Sequence, residues 1–387
     1  MIYLDNAATS WPKPDAVPDA MSAFLRRPAP NPGRSGNLPS IDATREVFLA
    51  REDVARLFGL RDPMAVAFAK NATEALNVAI QGTLAPGDHA VTTVMEHNSV
   101  LRPLAAMEDR GVAVTRVPAD ATGRVSPDAL LAAVTDRTRL VVLQHASNVV
   151  GTLQPVAEVG QALRKRDLLF CVDAAQSAGE SPIGMEALGI DLLAFTGHKA
   201  LMGPAGTGGL CVGPRAVDRV RPLLHGGTGS ASDRDRQPDF LPDRLEAGTL
   251  NTVGLAGLRA CIAFIESRGL DAITRHDRDC TRQLIEGLRS IPGVRLHGPG
   301  DADLQVAVVS FTVRGLRSDQ VESELERRAG VCCRVGLHCA PLAHRQIGTF
   351  PGGTIRFSPG VFTTPGEIET ALDAVREIAT HPEGVRP

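Results

Sequence analysis

The fold is decided by two stretches, LLFCVD at residues 168–173 and LLAFTGHK at residues 192–199. Each begins with a continuous apolar run, which is typical of a strand buried on both faces of a parallel sheet. Similar runs recur between about residues 64 and 210 and alternate with helix-like segments. This alternation predicts βαβ units and a mostly parallel sheet. The predicted strands are residues 65–68, 90–94, 112–114, 140–143, 168–172, 192–195 and 209–212.

The C-terminal third has a different pattern, which begins after a long helical region at residues 255–289. The predicted elements are a strand at 304–313, a helix at 319–328, strands at 331–335 and 354–358, and a helix at 365–380. A mixed order of this kind predicts a smaller α+β domain. The chain is therefore predicted to be an α/β protein in which a second, smaller domain follows the large sheet.

Composition narrows the classes of function. The 387 residues are 43% hydrophobic and 22% charged, with a formal net charge of -3. This is the composition of a soluble globular protein without the basic excess that nucleic-acid binding requires, so we expect a small-molecule substrate. No apolar run is long enough to span a membrane, and MIYLDN at residues 1–6 lacks the features of a signal peptide. We expect a cytoplasmic protein whose seven scattered cysteines are reduced thiols.

Lys199 and Asp173 each follow a predicted strand, so both are expected at the edge of the sheet where ligands of α/β proteins bind. A lysine there can bind the aldehyde of pyridoxal 5'-phosphate (PLP), and a carboxylate can keep the pyridine nitrogen protonated. Two plainer interpretations stay open. Lys199 can be a surface lysine in a loop, and Asp173 can cap the next segment.

Other polar residues follow strands at the same edge. Thr73 lies where a strand leads into a helix, and a helix start is a ready anion site, although capping alone also explains it. His97 can stack on a flat cofactor, and Asn148 and Gln176 can donate to a ring oxygen. Individually, each of these residues is equally consistent with a structural role.

Six motifs occur in a fixed order along the chain. They are YLDNAAT at residues 3–9, NATE at 71–74, EHN at 96–98, SNVVGT at 147–152, DAAQ at 173–176 and TGHK at 196–199. In this order they resemble the fold-type I PLP enzymes of aminotransferase class V, and within them the cysteine desulfurases and selenocysteine lyases. The resemblance covers nearly the whole chain. It implies a PLP-binding large domain at residues 15–255 and a small domain formed by residues 1–14 and 256–387.

The resemblance also implies a role for each matching residue. Lys199 would bind PLP covalently, Asp173 would contact the pyridine nitrogen, and His97 would stack on the ring and take part in catalysis. The remaining cofactor contacts would be Asn148 and Gln176 at the ring oxygen, Thr73, Thr196 and His198 at the phosphate, and Ala72. Thr249, in EAGTLNT at residues 246–252, would reach the phosphate of a neighbouring subunit, which implies a homodimer.

The reaction is suggested by RVGLHCAP at residues 334–341 and GTIRFSPG at residues 353–360. Both resemble the cysteine desulfurase pattern, in which Cys339 would take sulfur from L-cysteine, forming a persulfide and releasing L-alanine. Asn148 and Arg356 would bind the substrate, with Arg356 gripping its carboxylate in a two-pronged contact. The short interval between Cys339 and Arg356 resembles the branch with a compact loop, which implies a separate sulfur-acceptor protein.

Three alternatives are weighed against this interpretation. Selenocysteine lyase or another PLP-dependent C–S lyase remains open, partly because Asn37 stands where relatives often carry histidine in the loop at residues 31–37. A metal site built from the cysteines and histidines of residues 332–344 would make this region a carrier or structural module. Adjacent cysteines on a strand point to opposite faces, which disfavours it, and we expect no metal. The glycine-rich residues 203–209 lack a nucleotide-binding fingerprint.

Overall fold

A computed structural model describes residues 1–28, 32 and 37–381 of the chain. Most of the loop predicted at residues 31–37 lies outside this part. Its last residue, Asn37, caps the helix that follows, and its side chain accepts a hydrogen bond from the Ser40 N–H. No helix of the described residues combines the length and apolarity that crossing a membrane requires.

The elements are numbered in chain order. The strands are β1 Ile2–Tyr3, β2 Val66–Ala69, β3 His89–Thr93, β4 Ala113–Val117, β5 Thr138–Gln144, β6 Leu169–Asp173, β7 Leu192–Thr196, β8 Gly208–Val212, β9 Val294–His297, β10 Val309–Val313, β11 Val331–Cys332, β12 Arg334–Gly336 and β13 Thr354–Phe357. The α-helices are α1 Ala16–Leu25, α2 Leu38–Phe58, α3 Ala72–Thr83, α4 Asn98–Glu108, α5 Pro127–Ala132, α6 Val156–Leu163, α7 Met185–Leu188, α8 Thr252–Arg268, α9 Leu270–Arg289, α10 Ser318–Ala329, α11 Pro341–Gln346 and α12 Pro365–Thr380.

The large sheet has seven strands in the order β2-β8-β7-β6-β5-β3-β4. All neighbours from β7 to β4 are parallel, and only β8 runs antiparallel to both of its neighbours. Every residue of β6 and β7 is buried, as expected for continuous apolar runs in a sheet with covered faces. The predicted α/β fold with a mostly parallel sheet is confirmed.

The second sheet is antiparallel and has four strands in the order β12-β13-β10-β9. The predicted strand at residues 304–313 is shorter, because only β10 forms ladder pairs. The predicted strand at residues 331–335 is split at Cys333, since β11 pairs with β1 whereas β12 pairs with β13. This arrangement agrees with the predicted smaller α+β region.

The N-terminus is built into this second region. Leu4 is fully buried in an apolar core with Phe311 and Phe357, which supports grouping the first residues with the C-terminal part. The predicted domain boundary after residue 255 lies inside α8, so this helix joins the two parts. We propose the predicted division on this basis.

Two buried acids lie between α9 and the loop that follows β6. Glu180 and Asp277 are 9% and 5% exposed, and Oδ1 of Asp277 has no hydrogen-bond partner among the described residues. Burial raises the pKa of Glu180 to about 7 and raises the pKa of Asp277 well above its ordinary value, where the Glu180 charge adds to the effect. Both carboxyls therefore hold protons more tightly in the folded chain than in the unfolded one.

Replacing Glu180 by glutamine is expected to protect the fold at high pH. A carboxyl with a raised folded pKa favours folding at low pH, and this contribution is lost as pH rises from the unfolded value of about 4.3 toward 7. Thermal unfolding at pH 5 and pH 9 should show a smaller fall in Tm for Glu180→Gln than for wild type, by about 2–4 °C. Glu286→Gln, at an exposed position of α9, is the control. An equal fall in Tm between pH 5 and pH 9 for wild type and Glu180→Gln would contradict the raised pKa of Glu180.

Candidate active site

A cavity lies at the carboxyl ends of the parallel strands, where α3 and α4 begin. Because parallel strands end at one edge of a sheet, side chains that are distant in sequence meet there. All predicted cofactor residues except Thr249 line this cavity, namely Ala72, Thr73, His97, Asn148, Asp173, Gln176, Thr196, His198 and Lys199. Thr249 lies in a neighbouring groove beside Phe48 and Met64.

Lys199 follows β7 in a tight turn and is partly buried. Desolvation lowers the pKa of its ammonium to about 8, while the Asp173 carboxylate opposes this shift and the charge of Arg356 adds to it. A lysine with such a pKa is substantially neutral near pH 8, so its amine is available to attack an aldehyde. The turn thus holds a reactive amine at the cavity wall.

Asp173 ends β6 and is 5% exposed. Its Oδ1 accepts a hydrogen bond from the Ala175 N–H at 2.9 Å, which is a turn contact of the kind that the capping interpretation predicts. Burial raises the pKa of Asp173, and Lys199 opposes this. In the described part of the chain, no cation lies within ion-pair distance of Asp173, so the buried carboxyl lacks a charged partner.

The start of α3 forms one wall of the cavity. Asn71 caps this helix by accepting a hydrogen bond from the Glu74 N–H at 3.0 Å. The N–H groups of Ala72 and Thr73 have no acceptor among the described residues and belong to the cavity wall. Free N–H groups at a helix start bind anions, so this wall suits a phosphate.

His97 is the N-cap of α4 and is half-buried. Its Nδ1 accepts a hydrogen bond from the Ser99 N–H at 3.0 Å, which places the proton of the neutral ring on Nε2. Desolvation, reinforced by the charge of Lys199, lowers the pKa of His97 to about 4. The ring is therefore neutral near pH 7 and adds no like charge beside Lys199.

Asn148 and Gln176 complete the polar wall. Nε2 of Gln176 donates to the Ala7 carbonyl at 3.1 Å. Nδ2 of Asn148 donates to the His338 carbonyl at 2.6 Å, whereas its Oδ1 is buried and has no partner among the described residues. Asn148 thus joins the cavity to the loop that carries Cys339.

The turn before Lys199 also faces the cavity through Thr196 and His198. Oγ1 of Thr196 lies 3.5 Å from the Thr207 carbonyl, at the limit of a hydrogen bond. Burial lowers the pKa of His198 to about 4, with the charge of Lys199 adding to the effect. His198 is therefore a neutral ring that can donate or accept a hydrogen bond.

Cys339 is exposed at the tip of a loop between β12 and α11. Two consecutive non-glycine residues, His338 and Cys339, have left-handed φ angles of 45° and 58°. Such a conformation is unfavourable for side chains and persists only when surrounding contacts hold it. The Cys339 carbonyl accepts a hydrogen bond from the Asn98 N–H at 2.8 Å, so the loop is docked on the start of α4. The thiol is presented toward solvent by a fixed backbone.

The histidine beside this cysteine is part of the support. His338 is 4% exposed, and its Nε2 lies 3.0 Å from Oγ1 of Thr354. Burial lowers the pKa of His338 to about 2, so the ring is neutral at physiological pH. Its carbonyl, rather than its ring, connects the Cys339 loop to Asn148.

Arg356 projects from β13 and is 2% exposed. Its Nη2 pairs with Oδ1 of Asp5 at 2.8 Å, and its Nη1 donates to the Asn148 carbonyl at 3.0 Å. Its Nε is buried and has no partner among the described residues. The guanidinium is thus anchored at two points and retains N–H groups for a further acceptor.

Sequence reasoning assigned no role to two acids near the site. Asp5 lies in the motif at residues 3–9, but its pairing with Arg356 spans 351 positions and has no local signal in the sequence. Glu96 is fully buried and accepts hydrogen bonds from Thr93 Oγ1 at 2.7 Å and the Gln144 N–H at 3.0 Å. Burial raises the pKa of Glu96 to about 8. An acid directly after an apolar run is the sequence signal that could have marked both residues.

The hypothesis of a metal site at residues 332–344 finds no ligand set in the structure. Within residues 1–28 and 37–381, no three His, Cys, Asp or Glu side chains converge as a metal ion would require. His344 is instead hydrogen-bonded to Thr349, and Cys333 is buried while Cys332 is partly exposed. Cys332 lies on β11, whereas Cys333 lies in the break between β11 and β12.

Known proteins match this chain along nearly its whole length. The aminotransferase class-V family matches residues 2–370. A probable cysteine desulfurase of Methanothermobacter thermautotrophicus is 36% identical over 383 residues, covering 98% of this chain and 94% of that protein. Another probable cysteine desulfurase, of Pyrococcus abyssi, is 34% identical over 392 residues, covering 98% and 94%.

Solved structures agree with the sequence matches. A cysteine desulfurase from Thermococcus onnurineus has a TM-score of 0.91 at 33% identity, covering 98% of this chain and 94% of that one. The cysteine desulfurase CsdA from Escherichia coli has a TM-score of 0.87 at 28% identity, covering 98% and 95%. The resemblance inferred from the six motifs is confirmed, and the chain belongs to the aminotransferase class-V family.

Proposed function

We propose that this protein is a PLP-dependent cysteine desulfurase, which converts L-cysteine to L-alanine and transfers the sulfur to Cys339. The relatives that match it along its whole length are named as cysteine desulfurases. The single observation that carries the proposal is the exposed Cys339, held by the Asn98 and Asn148 contacts beside the cavity of Lys199. A C–S lyase that releases sulfide by elimination has no step that uses a protein thiol.

The residues of the cavity fit PLP. Asp173 has no cation within ion-pair distance among the described residues, so its carboxyl suits a pyridinium N–H. The free N–H groups of Ala72 and Thr73 suit a phosphate, which Thr196 and His198 would also contact. Oδ1 of Asn148 is a buried orphan that needs a partner. When bound, PLP supplies an electron sink for the charge that develops on the substrate α-carbon. We propose that Gln176 contacts the ring oxygen together with Asn148.

Lys199 has two tasks in this proposal. Its amine would hold the cofactor covalently, which its lowered pKa of about 8 favours. The amine would also accept the α-proton of the substrate at Nζ and return it later to the product. His97, neutral and fixed by Ser99, would stack on the ring.

Arg356 and Asn148 orient the substrate. The unpartnered Nε of Arg356 offers a hydrogen bond to the substrate carboxylate, and a second N–H of Nη2 can complete a two-pronged contact. Fixing the carboxylate directs the substrate sulfur toward the mouth of the cavity. Positioning of this kind is a large part of catalysis when two groups must react.

Cys339 performs the transfer as a thiolate. Its sulfur attacks the sulfur of the bound cysteine, a bond forms between the two sulfur atoms, and the bond between that sulfur and the substrate β-carbon breaks. The electron pair of the broken bond stays on the substrate and takes up a proton, so that L-alanine leaves. One sulfur atom remains on Cys339 as a persulfide, and no external oxidant is required.

We also propose a cytoplasmic homodimer that passes sulfur to a separate acceptor protein. All seven cysteines are free, which suits a reducing compartment. Exposed Phe48 and Met64 lie beside Thr249, which supports an interface through which Thr249 reaches the phosphate of the partner. The exposed position of Cys339 at the tip of its loop supports transfer of sulfur to another protein.

Product analysis tests the function. PLP-loaded protein given L-cysteine and a reducing thiol should release L-alanine and sulfide in equal amounts without pyruvate. Pyruvate together with sulfide would instead identify a C–S lyase that eliminates ammonia. Turnover of L-selenocysteine alone would identify a selenocysteine lyase and would contradict the proposal.

A further inference from the structure

The guanidinium of Arg356 depends on one carboxylate. A buried cation is strongly unfavourable without a charged partner, and Asp5 is the acid within ion-pair distance among the described residues. The Asp5 side chain is 17% exposed, so it is itself largely shielded from water. The second anchor, the Asn148 carbonyl at 3.0 Å, is neutral. Asp5 therefore supplies both the charge and the direction of the contact at Nη2.

The backbone that carries Asp5 is fixed beside Arg356. Asp5 forms a β-bridge with Ser358, two residues beyond Arg356. On the preceding residue, the Leu4 N–H donates to the Cys332 carbonyl at 2.8 Å, and the Leu4 carbonyl accepts from the Ser358 N–H at 2.7 Å. The carboxylate is therefore presented by extended backbone between two strands rather than by a loose terminus.

The same segment also holds the turn that carries Lys199. The His198 carbonyl accepts hydrogen bonds from Thr9 Oγ1 at 3.0 Å, the Ser10 N–H at 2.9 Å and Lys13 Nζ at 3.1 Å. Residues 5–13 thus connect Arg356 to His198, the residue before Lys199, through an ion pair at one end and hydrogen bonds at the other.

We propose that Asp5 is a positioning residue that acts through Arg356. Its carboxylate oxygen holds Nη2, so that the free Nε edge of the guanidinium faces an incoming α-carboxylate. The inference rests on the proposed function for the identity of the substrate, because L-cysteine carries such a carboxylate. Asp5 acts on the arginine and does not contact the substrate.

The test measures binding of L-alanine to PLP-loaded enzyme by calorimetry, because L-alanine has the carboxylate but no sulfur to transfer. Asp5→Ala is expected to raise its dissociation constant about ten-fold or more, the range for losing a charge-assisted hydrogen bond. Asp5→Asn, which keeps an acceptor oxygen but loses the charge, should fall between wild type and Asp5→Ala. For L-cysteine, Asp5→Ala should raise KM by the same factor and leave kcat much less affected.

The controls separate positioning from general damage. Asp15→Ala removes an exposed acid that makes no side-chain contact at its helix end, and it should leave binding unchanged. Ethylamine, which lacks a carboxylate, should bind Asp5→Ala and wild type equally. In an Arg356→Gln background, Asp5→Ala should have no further effect on L-alanine, since the two residues act as a unit.

An unchanged dissociation constant in Asp5→Ala, or a full effect in the Arg356→Gln background, would overturn the inference. If Asp5→Ala does not fold, Asp5→Glu takes its place, because it keeps the charge and moves the oxygen by one methylene. The same rise in the dissociation constant for L-alanine is then expected for Asp5→Glu. An unchanged dissociation constant would again overturn the inference. Since L-alanine binding does not involve sulfur transfer, failure of the desulfurase proposal leaves this result interpretable.

Discussion

Cys339→Ala is expected to abolish sulfur transfer while leaving the cofactor bound. The thiol is exposed at a left-handed loop tip, and the cavity residues make their contacts without it. Loss of a nucleophile removes the reaction path itself, so alanine formation from L-cysteine should fall at least about 10³-fold. The rate of alanine formation and the absorbance of bound cofactor are the two measurements.

Cys332→Ala provides a matched control for this variant. Cys332 is partly exposed, seven positions earlier in the sequence, and lies on β11 rather than at the loop tip. We expect its activity to stay within about two-fold of wild type. Sulfide release by Cys339→Ala at the wild-type rate would show that no protein thiol is needed and would favour a simple C–S lyase.

Lys199→Ala is expected to cause the second large loss of catalytic activity. Without the amine, the protein cannot hold PLP covalently or move the α-proton at Nζ, and loss of an acid–base group alone costs about 10²–10⁴-fold. The visible absorbance of loaded wild-type protein, which borohydride removes, should be missing from the variant. Activity and this absorbance measure the two tasks separately.

The other lysines allow a direct control. The chain has four, Lys13, Lys70, Lys165 and Lys199. Lys165 is exposed after α6 and does not line the cavity, so Lys165→Ala should keep both the absorbance and the activity. Mass spectrometry of borohydride-treated wild type should find the cofactor on Lys199, and labelling of another lysine would contradict the assignment.

The parallel sheet could be predicted because each of its strands has a signal in its own stretch of sequence. The runs at β6 and β7 are buried on both faces, so each is continuously apolar and ends at a polar residue. β9 lacked such a signal, because its VRLH alternates and has one exposed residue. The break at Cys333 between β11 and β12 depends on pairing with β1, which lies over 320 residues away and leaves no local signal.

The cavity residues were predictable for a related reason. Ala72, His97, Asp173 and Lys199 each follow a strand or open a helix, and the sheet brings these positions to one edge. Their roles toward the cofactor remain proposals. Long-range contacts were not predictable, as the hydrogen bond from Asn148 to the His338 carbonyl and the pairing of Arg356 with Asp5 illustrate.

Mass spectrometry of Cys339 tests the central claim most directly. PLP-loaded protein is mixed with L-cysteine without a reducing thiol, alkylated and digested. The peptide that contains Cys339 should carry one additional sulfur atom, in an amount equal to the L-alanine released in the first turnover. An unmodified Cys339 peptide alongside one equivalent of L-alanine would contradict the proposed transfer.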